Sequence, residues 1–183
     1  MGLGALAFLY VVFTASSKPE PAGLARFAEA SLQRLTVLDD PPPQPANALT
    51  DAEGGEVRLS DMEGDLLVVN LWATWCPPCI AEMPTLGALQ ERFADRGVRV
   101  VAVSVDELAK TEEAKAALAR LSEGRLDFYQ DYTRAILFSS RAPGMPTTIL
   151  YDRHGRELAR VAGEADWSSE EGAALIEAAL TGG

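Results

Sequence analysis

The chain has 183 residues, a formal net charge of -11 and two cysteines. That length suits one well-buried domain with an appendage and is too short for two domains of typical size. The excess of 27 acidic over 16 basic residues argues against a nucleic-acid partner, since phosphate binding relies on clustered lysine and arginine. Two cysteines cannot build the disulfide scaffold of a small secreted domain, which favours a catalytic pair.

The first residues differ from the rest of the chain. From Gly2 to Ser17 no residue is charged, and Leu3 to Phe13 is almost wholly apolar. This run is shorter than the roughly 20 residues of a spanning helix, and no lysine or arginine precedes it. We predict that residues 1–17 are a membrane anchor or a signal segment cleaved near Ala15, and either would export the domain. The alternative is a buried helix of a cytosolic protein.

Residues 18–47 are predicted to form an amphipathic helix followed by a linker. Large apolar residues recur at roughly helical spacing from Leu24 to Leu35, which favours a helix on the domain surface. The prolines within 41–45 fix φ and favour extended chain, so we place the domain boundary there. The main domain is expected to span residues 48–183.

Strand and helix patterns alternate in the rest of the chain. Short apolar runs predict strands, and apolar residues at helical spacing predict helices. In chain order we expect two short strands within 48–59, a strand over 66–72, a helix from the cysteines to Gly97, a strand over 98–105, a helix over 111–121, a strand over 126–130, a helical turn near 136–138, strands over 147–151 and 157–161 joined by a hairpin turn, and a final helix with a capping box at Ser168. This order predicts an α/β sandwich with a mixed sheet.

Both cysteines lie in the segment Cys76-Pro77-Pro78-Cys79, where a buried strand gives way to a helix. At a helix N-terminus, unpaired N–H groups and the macrodipole favour the thiolate, which is the species that attacks a disulfide. The spacing brings the second sulfur within disulfide range of the first. The pattern therefore predicts redox chemistry. The alternative is half of a zinc site, but zinc needs four ligands and only His154 adds to the pair.

Three segments together resemble the thioredoxin superfamily and, within it, the TlpA-like branch of exported thiol:disulfide reductases. They are Val69 to Cys79, Glu82-Met83-Pro84 and Gly144 to Thr147. The similarity covers about residues 48–181. It implies a thioredoxin-like three-layer sandwich in which helices flank a mixed central sheet. It also implies client proteins with disulfides and a membrane electron donor, and we expect neither a cofactor nor a metal.

The resemblance implies a role for individual residues. Cys76, expected to be exposed, is the attacking thiol, and Cys79 is the resolving thiol. Pro146 matches a cis-proline that faces the active site in this superfamily, and the backbone at Met145 pairs with an extended client segment. Trp75 borders the same docking surface. The alternative for Pro146 is an ordinary loop proline.

Glu82 is the candidate acid/base. Thioredoxins themselves carry a buried aspartate six residues before the first cysteine, where this chain has Asn70, which cannot take a proton. Glu82 follows Cys79 by three residues, about one helical turn, and matches the glutamate of the TlpA-like Glu-Met-Pro motif. The alternative is a glutamate on the helix surface, since glutamate favours helices.

The sequence thus predicts an exported thiol:disulfide oxidoreductase that reduces client proteins. We expect it at the periplasmic face of the bacterial inner membrane, or in the periplasm if the signal is cleaved. Clients of the TlpA-like family include proteins of cytochrome c maturation and of copper delivery to cytochrome oxidase. The direction of electron flow stays open, because the sequence does not give the potential.

The sequence leaves two alternatives to a reductase. A thioredoxin-fold copper-binding chaperone suits soft thiolates, but that family usually adds a histidine near the site, and the single histidine of this chain lies in a hairpin turn. A peroxidase related to peroxiredoxins would need an activating environment around one cysteine, for which the sequence offers no motif.

Overall fold

The structure is a computed structural model that describes residues 23–181. The predicted anchor or signal, residues 1–17, lies outside the described residues. Within the described range, no helix combines the length and the apolar character needed to cross a membrane.

An eight-stranded mixed sheet forms the centre of the domain. Its strands are β1 (Leu35–Thr36), β2 (Leu49–Asp51), β3 (Glu56–Val57), β4 (Leu66–Trp72), β5 (Val98–Ser104), β6 (Phe128–Gln130), β7 (Thr147–Asp152) and β8 (Glu157–Ala162). In space they follow the order β1-β8-β7-β4-β5-β6-β2-β3. The pairs β4–β5 and β5–β6 are parallel, and all other neighbours are antiparallel.

Within residues 23–181, four α-helices accompany the sheet. They are α1 (Pro77–Phe93), α2 (Thr111–Leu121), α3 (Ala135–Ser139) and α4 (Glu170–Leu180). Helix α1 packs on β5 and on α2, and the ion pair between Arg92 and Glu170 joins it to α4. The predicted fold class, a mixed central sheet flanked by helices, is therefore confirmed.

The central strand β4 positions the cysteines. All seven of its residues are buried, as expected for a continuous apolar run that is covered on both faces. Its last residue, Trp72, precedes the cysteine segment, and Leu71 lies opposite Thr147, the first residue of β7. The segment before β7, which contains Pro146, therefore reaches the same end of the sheet as the cysteines.

The amphipathic helix predicted within 18–47 is wrong. The chain instead forms two 3-10 turns, Gly23–Phe27 and Ala30–Leu32, and then β1, which pairs with β8. Ala30 adopts a left-handed φ of 47°, which interrupts a right-handed helix. The segment nevertheless packs into the common core through Leu24, Leu32 and Leu35.

The start of α4 differs from the prediction in one detail. The Ser169 hydroxyl accepts a hydrogen bond from Gly172 N at 3.1 Å, so Ser169 is the N-cap. The capping box is wrong, because the third helical position is a glycine and has no side chain to reach back.

Candidate active site

Cys76 and Cys79 form a disulfide at the start of α1. Cys76 is the N-cap residue, and the two prolines occupy the first helical positions, where their missing N–H groups break no helical bond. Cys79 is completely buried, whereas Cys76 is 5% exposed. The expectation of an exposed Cys76 is wrong for the disulfide form, because its sulfur is bonded to a sulfur inside the core. It remains the more accessible of the two.

The loop that leads to Cys76 is anchored by Asp106, which follows β5. The buried carboxylate of Asp106 accepts hydrogen bonds from Thr74 N at 3.0 Å, from Thr74 Oγ1 at 2.7 Å and from Ser104 Oγ at 2.9 Å. Trp75, next in the loop, is 59% exposed, which suits contact with another protein. Asp106 is a site residue that the sequence did not predict. Its signal was an acidic residue directly after a strand parallel to β4, since the carboxyl ends of parallel strands meet at one edge.

Glu82 is buried on α1, with 1% of its surface exposed, so the helix-surface alternative is wrong. Its Oε1 accepts a hydrogen bond from Asn70 Nδ2 at 2.6 Å, and its Oε2 accepts one from Ala165 N at 3.1 Å. Burial raises the pKa of Glu82 to about 7, although the hydrogen bonds from Ala165 and Asn70 favour the carboxylate. Acid and carboxylate therefore coexist near neutral pH.

Asn70, in the middle of β4, can serve both forms of Glu82. Its Nδ2 donates to the Glu82 carboxylate and to Thr148 Oγ1, the latter at 2.9 Å. Its Oδ1 is buried and has no hydrogen-bond partner among the described residues. A half-turn of the amide would present Oδ1 to Glu82, where it could accept a hydrogen bond from the protonated carboxyl.

The bond between Met145 and Pro146 is cis, as the resemblance implies for this position. Pro146 O accepts a hydrogen bond from Gly163 N at 2.8 Å, and Thr147 Oγ1 donates to Gly144 O at 2.7 Å. These bonds hold the loop on both sides of the proline.

A buried ion pair on β8 supports the same loop. Arg160 Nε lies 2.5 Å from Glu157 Oε1, and the Arg160 guanidinium also donates to Ser140 O at 2.9 Å and to Arg141 O at 3.1 Å. The pair therefore ties β8 to the start of the segment that runs from α3 to Pro146. No sequence pattern singled out these residues.

A cavity of about 620 Å³ brings several of the predicted site residues together. It is lined by Ser31, Gln33, Arg34, Pro78, Ala81, Glu82, Thr85, Met145, Pro146 and the segment 163–166. Glu82 thus shares the cavity with Met145 and Pro146, and with Pro78, which lies between the two cysteines in the sequence. Trp75 lies outside this lining.

Side chains that commonly bind metal ions are not clustered in the described part of the chain. Between residues 23 and 181 no three or more histidine, cysteine, aspartate or glutamate side chains are grouped to hold a metal ion. His154 lies in the exposed turn between β7 and β8. Because Asp152 pairs with Leu66, the first residue of β4, this turn is at the opposite end of the strands from the cysteines.

A cysteine pair at the end of the central strand, facing a cis-proline, is the arrangement of thioredoxin-fold oxidoreductases. Residues 42–163 match the model of the AhpC/TSA family, and the chain belongs to this family. It is also 30% identical over 128 residues to the thiol-disulfide oxidoreductase ResA of Bacillus cereus, which covers 70% of this chain and 72% of the relative.

Solved structures agree with this assignment. One from Chlorobium tepidum, described as a candidate thiol:disulfide interchange protein DsbE, has 33% identity and a TM-score of 0.68, covering 78% of this chain and 99% of that chain. The thioredoxin domain of a thiol-disulfide oxidoreductase from Bacteroides vulgatus has 26% identity and a TM-score of 0.64 over 78% and 99% of the two chains. The chain is accordingly a thiol-disulfide oxidoreductase with a cysteine pair of the Cys-x-x-Cys type.

Proposed function

We propose that this protein reduces disulfides in exported client proteins through the Cys76/Cys79 dithiol. The buried Glu82 is the observation that carries the proposal. It lies on the same helix as Cys79 and in the cavity that Met145 and Pro146 also line. A carboxyl whose pKa is about 7 can take or give a proton near neutral pH, which is the property of an efficient acid/base.

The reaction consists of two exchange steps. The Cys76 thiolate attacks a client disulfide and forms a mixed disulfide, while the other client sulfur leaves as a thiolate. Cys79 then loses its proton to the Glu82 carboxylate and attacks Cys76. The Cys76–Cys79 bond forms, and the remaining client sulfur leaves as a thiolate. Two electrons have passed from the protein to the client, and a membrane electron donor would restore the dithiol.

The prolines at the start of α1 favour the reducing direction. Strong oxidants of this fold have a stabilised reduced form, and backbone N–H groups at a helix start are one source of that stabilisation. Pro77 and Pro78 occupy the first two helical positions and carry no N–H. The Cys76 thiolate therefore has fewer donors than a helix start normally offers, which disfavours the dithiol and makes it a better reductant.

Client docking is proposed at the loop that carries the cis-proline. The backbone at Met145 would pair with an extended client segment, a form of strand addition. Met145 itself adds adaptable apolar contact, and the exposed Trp75 borders the docked segment.

The compartment and the clients are part of the proposal. The uncharged run within residues 1–17 and the resemblance to exported reductases support export to the periplasmic face of the bacterial inner membrane, or to the periplasm after cleavage. Clients in cytochrome c maturation or in copper-site assembly of cytochrome oxidase fit that location. Fractionation of cells that express the full chain, beside a chain that begins at residue 18, tests it. Recovery of both forms in the cytosol would contradict export.

The reduction potential tests the direction. Equilibration of the full chain with dithiothreitol or glutathione buffers should give a value close to that of thioredoxin, about -270 mV, and a value close to that of DsbA, about -120 mV, would contradict a reductase.

Trapping tests the roles of the two cysteines. Cys79→Ser should accumulate mixed disulfides with client proteins on Cys76, because the resolving thiol is gone. Cys76→Ser is the matched control and should trap none. Equal trapping by both variants would contradict the assignment of Cys76 as the attacking thiol.

A further inference from the structure

The segment before β1 lines two concave regions beside Pro146. Ser31, Gln33 and Arg34 line the larger cavity described above, and Arg34 also lines a smaller groove. This segment precedes residues 42–163, the part of the chain that matches the family model. Strand β1 pairs with β8, and Ala162 N faces Arg34 O at 3.5 Å. The pairing brings Arg34 to the end of β8 that lies next to the cis-proline loop.

The side chain of Arg34 crosses Gly163. A Cβ atom at Gly163 would lie 2.7 Å from Arg34 Nη1 and 3.2 Å from Arg34 Cδ, so the guanidinium lies against the backbone where a larger residue would displace it. Gly163 N in turn donates to Pro146 O at 2.8 Å. A single hydrogen-bonded residue therefore separates the cation from the proline at the docking loop.

Arg34 faces a small groove in which it is the only charged residue. The groove has a volume of about 230 Å³ and is lined by Arg34, Pro143, Gly144, Met145, Pro146, Ala162 and Gly163. Glu82, Glu164 and Asp166 line instead the larger cavity, which Arg34 also lines. Between residues 23 and 181 no carboxylate oxygen comes within 4.0 Å of the Arg34 guanidinium.

We propose that Arg34 determines client specificity by binding the carboxylate of an aspartate or glutamate in the client segment that lies across Met145 and Pro146. The inference rests on the proposed function. A strand paired with the backbone at Met145 directs alternate side chains toward the protein. The side chain that enters the small groove meets one guanidinium beside apolar walls, so an acidic residue is favoured and a lysine or arginine is repelled.

Peptide disulfides that differ at one position test the proposal. Each peptide carries glutamate, glutamine or lysine at one of four positions, namely the two residues before its cysteine and the two residues after it. The rate at which the full chain, in its dithiol form, reduces each peptide is measured. At the position that reaches the groove, the glutamate peptide should react about two- to fivefold faster than the glutamine peptide, the range for a partly exposed ion pair. The lysine peptide should be slower than both. At about 1 M salt, where the Debye length is ~3 Å, the differences should shrink.

Charge substitutions assign the preference to Arg34. Arg34→Gln should abolish it, and Arg34→Glu should invert it. Arg153→Glu, in the exposed turn at the other end of the strands, makes the same change in net charge and should leave the preference intact. The preference of each protein is expressed as the ratio of its rates on the glutamate and lysine peptides, so a change in its overall rate of exchange cancels.

The outcomes separate the two proposals. If the wild-type chain reduces glutamate, glutamine and lysine peptides at equal rates at every position, the role of Arg34 is wrong while the reductase function stands. A preference that persists in Arg34→Gln also overturns it, since other charges would then cause the selection. If no peptide disulfide is reduced, the proposed function fails and the role of Arg34 fails with it.

Discussion

Replacement of Glu82 by glutamine should change how the stability of the oxidised protein depends on pH. The pKa of Glu82 rises from an ordinary 4.5 in the unfolded chain to about 7 in the fold, chiefly because of burial. Between these two values the unfolded chain has lost the proton that the folded protein keeps. The stabilisation from protonated Glu82 is complete below pH 4.5 and is lost as the pH rises through 7.

The size of this effect follows from the shift. Each unit of pKa is worth about 1.4 kcal/mol, so the free energy of unfolding of the wild-type protein should fall by about 3 kcal/mol from this group as the pH rises from 4.5 to above 7. Glutamine does not titrate and removes the fall. Glutamine can also mimic the protonated form, because its Nε2 can donate to Asn70 Oδ1 after the half-turn of the Asn70 amide while its Oε1 accepts from Ala165 N. Glu82→Gln should therefore exceed the wild-type protein in free energy of unfolding by less than about 1 kcal/mol at pH 5 and by about 3 kcal/mol at pH 8.

Urea unfolding at several values between pH 5 and pH 8 measures this difference. Glu164→Gln is the matched control, because Glu164 is exposed and raises the pKa of Glu82 only as the last of its causes. That variant should keep most of the wild-type pH dependence. Parallel profiles for the wild-type protein and Glu82→Gln would refute the raised pKa and with it the argument for proton transfer.

Three further predictions concern the same site. In Glu82→Gln, the pH dependence of disulfide reduction should lose its inflection near 7, since a glutamine cannot accept the Cys79 proton; an unchanged rate profile would contradict the role. Asp106→Ala should lower the free energy of unfolding by about 1–3 kcal/mol, because the partly buried Thr74 N–H and the buried Ser104 hydroxyl lose their acceptor, and urea unfolding should show a smaller loss for Asp106→Asn. Arg160→Met should lower the free energy of unfolding by about 3–5 kcal/mol, because it leaves the buried Glu157 carboxylate unpaired. Adding Glu157→Leu should recover part of this loss. If the losses from the two substitutions simply add, the pairing is contradicted.

The parts of the fold that follow from local pattern could be predicted from the sequence. The apolar run over 66–72 became β4 with the same bounds, and the helix expected over 111–121 is α2. Both segments are long enough for their pattern of apolar residues to indicate their secondary structure. The helix predicted for the short segment before β1 is wrong, because leucines at helical spacing are also compatible with two 3-10 turns and a strand that share one core. The left-handed φ of Ala30 has no local sequence signal.

The site residues likewise divide into those indicated by a local pattern and those placed by distant contacts. The motif identified Cys76, Cys79 and Glu82 because their spacing is local. The partners that give Glu82 its properties are distant in the chain, since Ala165 N comes from 83 residues away. Arg34 reaches the groove only through the register of β1 against β8. Contacts of this kind depend on strand order, which no pattern in a single segment contains.

In the proposed mechanism, an acid on α1 instead of on the central strand brings proton transfer close to client docking. An aspartate at the place of Asn70 would lie inside the sheet, whereas Glu82 bonds to Ala165 N, in the segment that follows Gly163. The same short segment supports Arg34 and holds Pro146 O. Residues 163–165 therefore connect the backbone N–H that bonds to Glu82 with the backbone N–H that holds the cis-proline loop.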